Sequence, residues 1–478
     1  MFEVLFGEDT SKKAVAKMCL IIALLAAVTF GPMAAVMGRP PIIRDSFAYN
    51  MTAQRLLKTH TFYYDLSDNV GKATPNAFTV PGYPLFLSGI YAFSHRTANT
   101  VQNALDAQQS IIIVQLFLMV CFAVVMALDG ALLGNLRLGY VTGILTGLYL
   151  PFGMNAVVAL SDVLALALMA VVIFFMISLY RSCSIASNSS RIVLAVLYGL
   201  FGGISLLVRP VIALWLIIPL AILLLKERAD RRFALRLCVV ACATIVVVLS
   251  PWVIRNAVSL HEFIPLTASS SRPLLDSVGG TTYTAGEKAL MASAEAQGKD
   301  PEYVVATSRI KKLWNDDPAG YLKNKVKIAY IAVSSPVDLV NDIMVDLESS
   351  GEPSTGTWAE PGIAKVYPLG NTGLYRFLAG WTEVYHVLLL LLAVVGIILG
   401  RKRKIIWALV SIPVYYIIVH MIILFMARYF YPAQSALILL AAFGATGIYY
   451  RWSSRTEVAT AGHAGKQQAK RAKKSKKR

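Results

Sequence analysis

The feature that most constrains this chain is a series of apolar segments long enough to cross a lipid bilayer. A membrane-spanning helix needs about 20 mainly apolar residues, and segments of roughly that length recur along the 478 residues. They lie at about 18–37, 110–128, 138–156, 163–180, 192–208, 211–225, 237–253, 381–399, 405–425 and 434–450. Only 15% of the residues are charged, against about a quarter in soluble domains. The sequence therefore predicts an all-α polytopic membrane protein with about ten transmembrane helices.

The distribution of charge predicts how these spans are oriented. The net charge is +18, and lysines and arginines concentrate at 226–236, at 401–404 and in the tail after residue 450. Cytoplasmic loops carry this excess of Lys and Arg, so we expect these segments and both termini on the cytoplasmic side of a bacterial plasma (inner) membrane. This placement explains the basic composition without nucleic-acid binding. None of the five cysteines falls in a predicted external loop, so no structural disulfide is expected.

The spans divide the chain into five predicted parts. These are a cytoplasmic N-terminus (1–17), a transmembrane catalytic core (18–254) with a first external loop at 38–108, an external soluble region (255–380), C-terminal transmembrane helices (381–450) and a basic cytoplasmic tail (451–478). The external region is too long for a simple connector. It contains helix-like stretches at 287–297, 301–315 and 319–334, so we expect it to be small and mostly helical.

One stretch just after the first span combines apolar, basic and acidic residues in helical order. It runs from 44 to 57 and reads Arg-Asp-Ser-Phe-Ala-Tyr-Asn-Met-Thr-Ala-Gln-Arg-Leu-Leu. Asp45 and Tyr49 are four residues apart and share one face of a helix. The pattern predicts an amphipathic juxtamembrane helix in the first external loop. Asp45 alone has two interpretations: a helix-end charge that the dipole stabilises, or a reactive group at the membrane interface.

Five ionisable residues fall at the outer boundary of the predicted spans. They are Asp45, Asp162, Arg209, Arg255 and Arg428. Charges at that depth are costly and are functional candidates, although each alone could be a side chain that snorkels to the interface. Arginine binds phosphate through forked hydrogen bonds, and a carboxylate can take a proton from an attacking group. The combination predicts group transfer from a lipid-linked phosphate, with arginines stabilising the departing charge.

A divalent cation is the one cofactor that these residues suggest. Asp162 could orient the acceptor or bind a cation through its carboxylate oxygens, so Asp45 and Asp162 are the candidate metal ligands. His261 and His420 are weaker candidates for a phosphate or metal contact, because a lone histidine is more often a hydrogen-bonded residue at a helix end.

Seven short pieces share their order with one family of membrane enzymes. They are Arg44-Asp45-Ser-Phe-Ala-Tyr49, Val80-Pro-Gly-Tyr83-Pro84, Leu160-Ser-Asp162, Leu207-Val-Arg209-Pro210, Pro251-Trp252-Val-Ile-Arg255-Asn256, Pro318-Ala-Gly-Tyr321-Leu and Ala427-Arg428-Tyr429. In order and neighbourhood the chain resembles C-type membrane glycosyltransferases over residues 18–450. The resemblance is to the branch with dolichyl-phosphate-mannose protein mannosyltransferases and the bacterial aminoarabinose transferase of lipid A.

The resemblance implies a reaction and roles for the matching residues. Family members take a sugar from a polyprenyl-phosphate donor and invert its anomeric centre, so Asp45 would be the base and Asp162 a second active-site acid. We expect the substrates to be bound by Tyr49, Tyr83, Arg209, Arg255, Asn256, His261, Arg428 and Tyr429. The partners would be the lipid-linked donor, membrane lipids and an acceptor that is a glycan, a lipid or a protein. The site would face the outside of the membrane.

One stretch departs from the family pattern, and two other functions remain open. The aminoarabinose enzyme has an acid and a lysine directly before its proline-rich turn, where this chain has residues 76–80 (Asn-Ala-Phe-Thr-Val), with Lys72 out of register. A polysaccharide polymerase or ligase would depend on late external basic residues such as Arg309, Lys311 and Lys312. A lipid or sugar transporter or flippase would have broken helices in paired halves and charges near the bilayer midplane, and the sequence indicates neither.

Overall fold

A computed structural model of the protein describes most of the chain. The described residues are 6, 10–38, 44–64, 75–94, 101–182, 187–227, 230–269, 271–279, 282–334, 373–423 and 427–453. Residues 65–74 of the predicted first external loop, residues 335–372 of the predicted external region, most of 1–9, Cys183 and the tail from 454 onward fall outside these residues. Within the described residues the regular structure is helical, and they contain no strand.

The described part of the chain contains seventeen helices, numbered here in chain order. The first sixteen are α1 (Lys12–Met37), α2 (Arg44–Thr59), α3 (Gly82–Ser94), α4 (Val101–Leu133), α5 (Leu136–Gly147), α6 (Pro151–Asn155), α7 (Ser161–Ser182), α8 (Asn188–Val208), α9 (Ile217–Lys226), α10 (Arg231–Leu260), α11 (Arg272–Asp276), α12 (Ala285–Ala296), α13 (Pro301–Asp316), α14 (Pro318–Ser334), α15 (Gly373–Gly400) and α16 (Lys404–Ile422). Two 3₁₀ turns, Pro210–Ile212 and Ala427–Ala433, precede α9 and the last helix, α17 (434–453), which completes the stretch Arg428–Ser453.

Eight helical stretches in the described part of the chain are long and apolar enough to cross a bilayer. They are α1, the Gln108–Leu133 part of α4, α7, α8, α10, the Gly380–Gly400 part of α15, α16 and Arg428–Ser453. The predicted all-α polytopic membrane fold is therefore confirmed. The predicted number of ten spans stays a prediction.

The other two predicted spans are interrupted helices. The segment predicted at 138–156 consists of α5 and the short α6, which starts at Pro151. The segment predicted at 211–225 consists of the turn Pro210–Ile212 followed by α9. In each segment a proline begins one helical piece, since its fixed φ and missing N–H suit the start of a helix and not its interior. Hydropathy reports that a segment is apolar, not that its helix is continuous.

α10 extends beyond the span predicted at 237–253. The helix continues to Leu260, and His261 ends it with a left-handed backbone φ of 57°. Arg255 and Asn256, which follow the predicted span, therefore lie on the last turns of this helix. A helix holds its side chains more rigidly than a loop does, which matters for the contacts of Arg255 below.

α7 occupies the centre of the bundle. Its residues are buried on almost every side, as expected for a helix that is apolar all round. By contrast, α1 exposes Leu20, Leu24 and Val28, and such an apolar face suits lipid. Asp162 lies in the first turn of α7, so this acid stands at one end of the protein core.

Basic side chains gather at the opposite end of the bundle, where α7 finishes. Arg181 and Arg403 donate to the carbonyls of Leu132 and Leu133 at the end of α4, at 2.9 and 3.4 Å. Lys226 Nζ donates to Tyr180 O at 2.6 Å, and Lys404 Nζ donates to Leu225 O. The last carbonyls of a helix have no partner within it, so these side chains close helix ends. Residues predicted on the cytoplasmic side therefore meet at one end of the bundle.

The region predicted to be external contains the three expected helices. The stretches at 287–297, 301–315 and 319–334 correspond to α12, α13 and α14, and the short α11 was not predicted. Thr284 and Glu287 form a reciprocal capping box at the start of α12, which satisfies free N–H groups there. At the end of α14, the Val333 carbonyl lies 2.8 Å from Nε2 of His386 in α15. This contact ties the region to the membrane bundle. The domain boundaries stay predictions.

Candidate active site

A cavity of about 610 Å³ lies where the ends of α2, α7, α8 and α16 meet. Its polar end contains two acids and two arginines, and its other walls are mostly apolar. Its lining residues are Asp45, Tyr49, Phe78, Thr79, Val80, Leu160, Ser161, Asp162, Val208, Arg209, Pro210, Val211, Leu214, Pro265, Leu266, Thr267, Ser269, Pro273, Tyr415, Val419, His420, Ile423, Arg428 and Tyr429. Residues that are far apart in the sequence thus form one site.

Asp45 is presented by the first turn of α2, where the helix dipole favours a carboxylate. Its Oδ2 accepts a hydrogen bond from Arg428 Nη2 at 2.7 Å. Its Oδ1 accepts one from the Tyr64 hydroxyl at 3.1 Å. The Asp45 side chain is 36% exposed, whereas that of Arg428 is 12% exposed. The acid is therefore both held in place and reachable from the cavity.

Asp162 is presented by the first turn of α7 and is fully buried. Arg209 Nη2 donates to its Oδ1 at 2.5 Å, and Arg209 Nε donates to Ser161 Oγ at 3.3 Å. Pro210 explains the position of the arginine, because a residue before proline is forced into an extended conformation. Arg209 has φ −144° and ψ 105° and ends α8. The Oδ2 atom of Asp162 has no hydrogen-bond partner in the described part of the chain.

Tyr429 joins the two ion pairs. The Arg209 guanidinium carbon lies 5.1 Å from the centre of the Tyr429 ring, and that of Arg428 lies 5.3 Å from the same centre. Both contacts are within the range of a cation–π interaction. His420 stacks on Tyr429 with 5.5 Å between ring centres. The Tyr429 ring therefore contacts both guanidinium groups and links the two ion pairs.

Two tyrosines from the sequence prediction occupy different positions. Tyr49 lines the cavity, and its ring packs against those of Tyr64 and Tyr83 at 5.3 and 5.0 Å between centres. Burial, with the nearby charge of Asp45, raises the pKa of Tyr49, so its hydroxyl stays protonated. Tyr83 stands behind it, and its hydroxyl donates to Gln115 Oε1 at 3.1 Å. It is not among the lining residues.

Gln115 connects Tyr83, which does not line the cavity, to the backbone that precedes Asp162. Its Nε2 donates to the carbonyls of Ala156 and Val158, at 2.8 and 2.9 Å. These carbonyls belong to the short connection between α6 and α7, which leads directly to Asp162. Tyr83 therefore belongs to the support of the second acid.

Arg255, Asn256 and His261 also lie outside the cavity walls. Arg255 Nη1 donates to Asn76 O at 2.8 Å, and its Nη2 donates to Phe62 O at 2.9 Å. Asn256 is fully buried, and its Nδ2 donates to Ile264 O at 2.9 Å. The guanidinium that the sequence grouped with the phosphate-binding arginines thus binds backbone carbonyls.

The polar end of the cavity can receive an anion. Each guanidinium has five N–H donors, and the ion pairs use only some of them. Arg428 Nε is buried and has no partner in the part of the chain that the structure describes. A phosphate oxygen would satisfy such a donor through a charge-assisted hydrogen bond.

The carboxylates at this end of the cavity provide too few oxygens for a complete metal site, so a bound cation would also need ligands from substrate or water. Within the described residues, no group of three or more His, Cys, Asp or Glu side chains could hold a metal ion. Both oxygens of Asp45 accept hydrogen bonds from protein donors, whereas Asp162 Oδ2 is buried and has no hydrogen-bond partner among the described residues. Hard divalent cations need about six oxygen ligands, so most would have to come from phosphate and water.

Sequence reasoning missed several residues of the site. Tyr64 binds Asp45, and Thr267 and Ser269 line the cavity. The hydroxyls of Thr267 and Ser269 both donate to the Phe78 carbonyl at 2.5 Å. Their loops carry no periodic pattern, and only their position between a predicted span end and the helix-like stretches marks them. Their contacts depend on how the loops fold over the bundle.

Solved structures share this fold. No family model and no curated protein match the sequence. The match to the apo crystal structure of the Archaeoglobus fulgidus oligosaccharyltransferase covers 94% of this chain and 52% of the oligosaccharyltransferase chain, with a TM-score of 0.52 and 13% identity. AglB, an oligosaccharyltransferase of the same organism in complex with an inhibitory peptide and a dolichol-phosphate, covers the same shares with a TM-score of 0.50 and 10% identity. The match to ArnT from Cupriavidus metallidurans bound to undecaprenyl phosphate covers 92% of this chain and 78% of the ArnT chain, with a TM-score of 0.41 and 17% identity.

These similarities identify the fold. The chain spans about half the length of the oligosaccharyltransferases that it matches. They show that the chain shares the fold of these oligosaccharyltransferases, whereas the superposition on ArnT is too loose to add to this conclusion.

Proposed function

We propose that the protein is an inverting membrane glycosyltransferase that moves a sugar from a polyprenyl-phosphate donor to a glycan, lipid or protein acceptor. The observation that carries this proposal is the pair of ion pairs Asp45–Arg428 and Asp162–Arg209, joined by Tyr429 in one cavity. It places a reachable carboxylate beside two cationic groups, as transfer from a phosphate requires. We propose that the cavity faces the outside of the plasma membrane.

The apolar walls of the cavity support a lipid-linked donor. Val208, Val211 and Leu214 line one wall, and Val419 and Ile423 line another. The Leu214 side chain is 68% exposed, so the cavity reaches the lipid-facing surface of the bundle. A polyprenyl chain could stay in the membrane while its phosphate reaches the arginines.

The reaction follows from the positions of these groups. The acceptor oxygen or nitrogen attacks the anomeric carbon while the bond from that carbon to the phosphate oxygen breaks. Asp45 takes the proton of the acceptor, and the electron pair of the broken bond remains on the polyprenyl phosphate. The leaving phosphate gains one negative charge, which Arg209 and Arg428 stabilise because their guanidinium groups already stand there. A single displacement inverts the anomeric centre and forms no covalent enzyme intermediate.

Asp162 has a separate role in this scheme. It is buried behind Arg209 and holds that guanidinium towards the cavity. Its Oδ2, which has no hydrogen-bond partner among the described residues, would be the ligand of a divalent cation if one is bound, and the cation would add positive charge at the leaving phosphate. Arg309, which a polymerase or ligase would need, instead pairs with Glu287 at 2.7 Å and is not among the lining residues.

The test is the variant Asp45→Asn in a transfer assay with purified protein and a panel of polyprenyl-phosphate sugars and acceptors. A general base contributes about 10²–10⁴-fold to a rate, so we expect kcat to fall by at least about 100-fold. The matched control is Asp276→Asn, which removes a carboxylate in α11 outside the cavity. Full activity of Asp45→Asn at normal protein level would refute the mechanism. Retention of the donor's anomeric configuration in the product would do the same.

A further inference from the structure

The outer end of α10 binds the loops that surround Asp45. Arg255 packs against the rings of both Trp252 and Phe62, with its guanidinium carbon 5.1 and 5.5 Å from their centres. Its two terminal nitrogens donate to Phe62 O and Asn76 O. Two chain segments that flank the undescribed stretch 65–74 are thus held by one side chain.

Asn256 and Trp252 extend this attachment to a third loop. Asn256 Oδ1 accepts from Arg255 Nη1 at 2.9 Å, and its Nδ2 donates to Ile264 O. Trp252 Nε1 donates to Leu266 O at 2.8 Å. The loop after α10 contributes Leu266 to the cavity wall. The end of α10 therefore fixes the wall of the site from behind, at a distance from the cavity itself.

Asn76, which is bound by Arg255, also holds the backbone of Tyr64. Its Oδ1 accepts from the Tyr64 backbone N–H at 3.2 Å, and its Nδ2 donates to the Tyr64 carbonyl at 2.9 Å. Both backbone groups of Tyr64 are thus bound by one amide side chain. This asparagine lies in the stretch 76–80, where the chain departs from the acid-and-lysine pattern of the aminoarabinose enzyme.

Tyr64 completes the connection to Asp45. Its ring is buried and stacks on Phe78 at 5.7 Å between centres, and its hydroxyl donates to Asp45 Oδ1. Burial, with the nearby Asp45 charge, raises the pKa of Tyr64, so the hydroxyl remains a donor. Arg428 binds the other oxygen of Asp45. With one donor on each oxygen, the plane of the carboxylate is set by Tyr64 and Arg428 together.

We propose that Arg255, Asn76 and Tyr64 are positioning residues that orient the Asp45 carboxylate for proton transfer, and that Arg255 does not bind the donor phosphate. The proposal rests on the proposed function, in which Asp45 is the base. Activity depends on orientation to within about an ångström, so a residue well removed from the substrates can limit kcat. Donor and acceptor bind to the residues that line the cavity, so we expect the larger effect of changes at these three positions on kcat.

The first experiment separates kcat from KM in Tyr64→Phe and Arg255→Gln. A hydrogen bond to a charged group corresponds to roughly a 10- to 100-fold change, so we expect kcat to fall by about that factor. KM for donor and for acceptor should stay within about twofold, since a change in KM alone would mean lost binding. Arg255→Lys keeps one cationic donor for two carbonyls and should give an intermediate kcat. Arg231→Lys, at the exposed other end of α10, is the matched control and should keep the wild-type kcat.

The second experiment is a double-mutant cycle between positions 64 and 255. If Arg255 acts through the Tyr64 hydroxyl, Arg255→Lys should lower kcat in the Tyr64 protein and have little further effect once position 64 is phenylalanine. Loss of packing alone would lower the melting temperature without this coupling. If Arg255→Gln does not fold, the cycle with Arg255→Lys still decides the question.

The outcomes distinguish this inference from the proposed function. If Asp45→Asn is inactive while Tyr64→Phe and Arg255→Lys have the wild-type kcat, the positioning role is refuted and the function stands. Additive effects in the cycle, or a rise in donor KM with unchanged kcat in Arg255→Lys, would also overturn the positioning role. If Asp45→Asn is fully active, the proposed function itself fails.

Discussion

Gly82, at the start of α3, allows that helix to touch the end of α8 next to Arg209. A Cβ added at Gly82 would lie 2.4 Å from Leu207 O and 2.7 Å from Val208 Cγ2. An ordinary contact needs at least about 3.4 Å, so Gly82→Ala must push the two backbones apart by about 1 Å. Overpacking of this kind costs about 1–3 kcal/mol.

The same displacement should reach the chemistry, because Val208 is followed directly by Arg209. A misplacement of about 1 Å in an active site can cost about 100-fold in rate. We therefore expect Gly82→Ala to lower kcat by about that factor and to lower the melting temperature in detergent. Activity is measured in the sugar-transfer assay, and unfolding by intrinsic fluorescence on heating.

Gly89 provides the matched control in the same helix. A Cβ added there would have no atom within 4 Å, and alanine favours a helix over glycine by about 1 kcal/mol. Gly89→Ala should therefore keep full activity and be equally or more stable. If Gly82→Ala behaved like Gly89→Ala in both assays, the contact between α3 and α8 would not position Arg209, and the reasoning would be refuted.

Two more predictions concern ion pairs. Arg209→Ala leaves the buried charge of Asp162 without its partner, so we expect a loss of about 3–5 kcal/mol in stability, and the double variant with Asp162→Ala should regain part of it; a single variant as stable as the wild type would contradict this. In the external region, Arg309 lowers the pKa of the Glu287 carboxyl from 4.5 to about 2, so its contribution is complete above about pH 4.5 and is lost as the pH falls towards 2. Pepsin cleavage within 282–334 of the full chain should rise as the pH falls from about 4.5 to 2. The variant Glu287→Gln should be cleaved equally across this pH range. Glu295→Gln, an exposed control in α12, should behave like the wild type.

The convergence of the polar site could be predicted because topology alone controls it. Asp45, Asp162, Arg209 and Arg428 each stand at the end of an apolar segment, and an alternating path of spans brings such ends to one side. The helix around Asp45 could also be predicted, since its apolar and polar residues keep a helical spacing. For these residues the position relative to the ends of the apolar segments is enough to predict that they meet.

The support of the site could not be predicted in the same way. Arg255 has the same sequence signature as Arg209, a basic residue near the end of a span, yet it binds carbonyls of distant loops. The hydrogen bonds between Asn76 and Tyr64 join residues 12 apart, and the sequence between them has no helical or strand periodicity. Likewise, Pro151 and Pro210 interrupt segments whose hydropathy is that of any other span. Tertiary contacts decide these features, and no local pattern records them.

The basic side chains that close helix ends act both during membrane insertion and after the helices have packed. In the predicted topology, these lysines and arginines keep their loops on the cytoplasmic side while the protein enters the membrane. After the helices have packed, Lys226 and Lys404 bind the final carbonyls of α7 and α9. Replacing these lysines to map the topology would therefore also loosen joints between neighbouring helices. An altered reporter signal from such a variant would combine a change in insertion with a change in assembly.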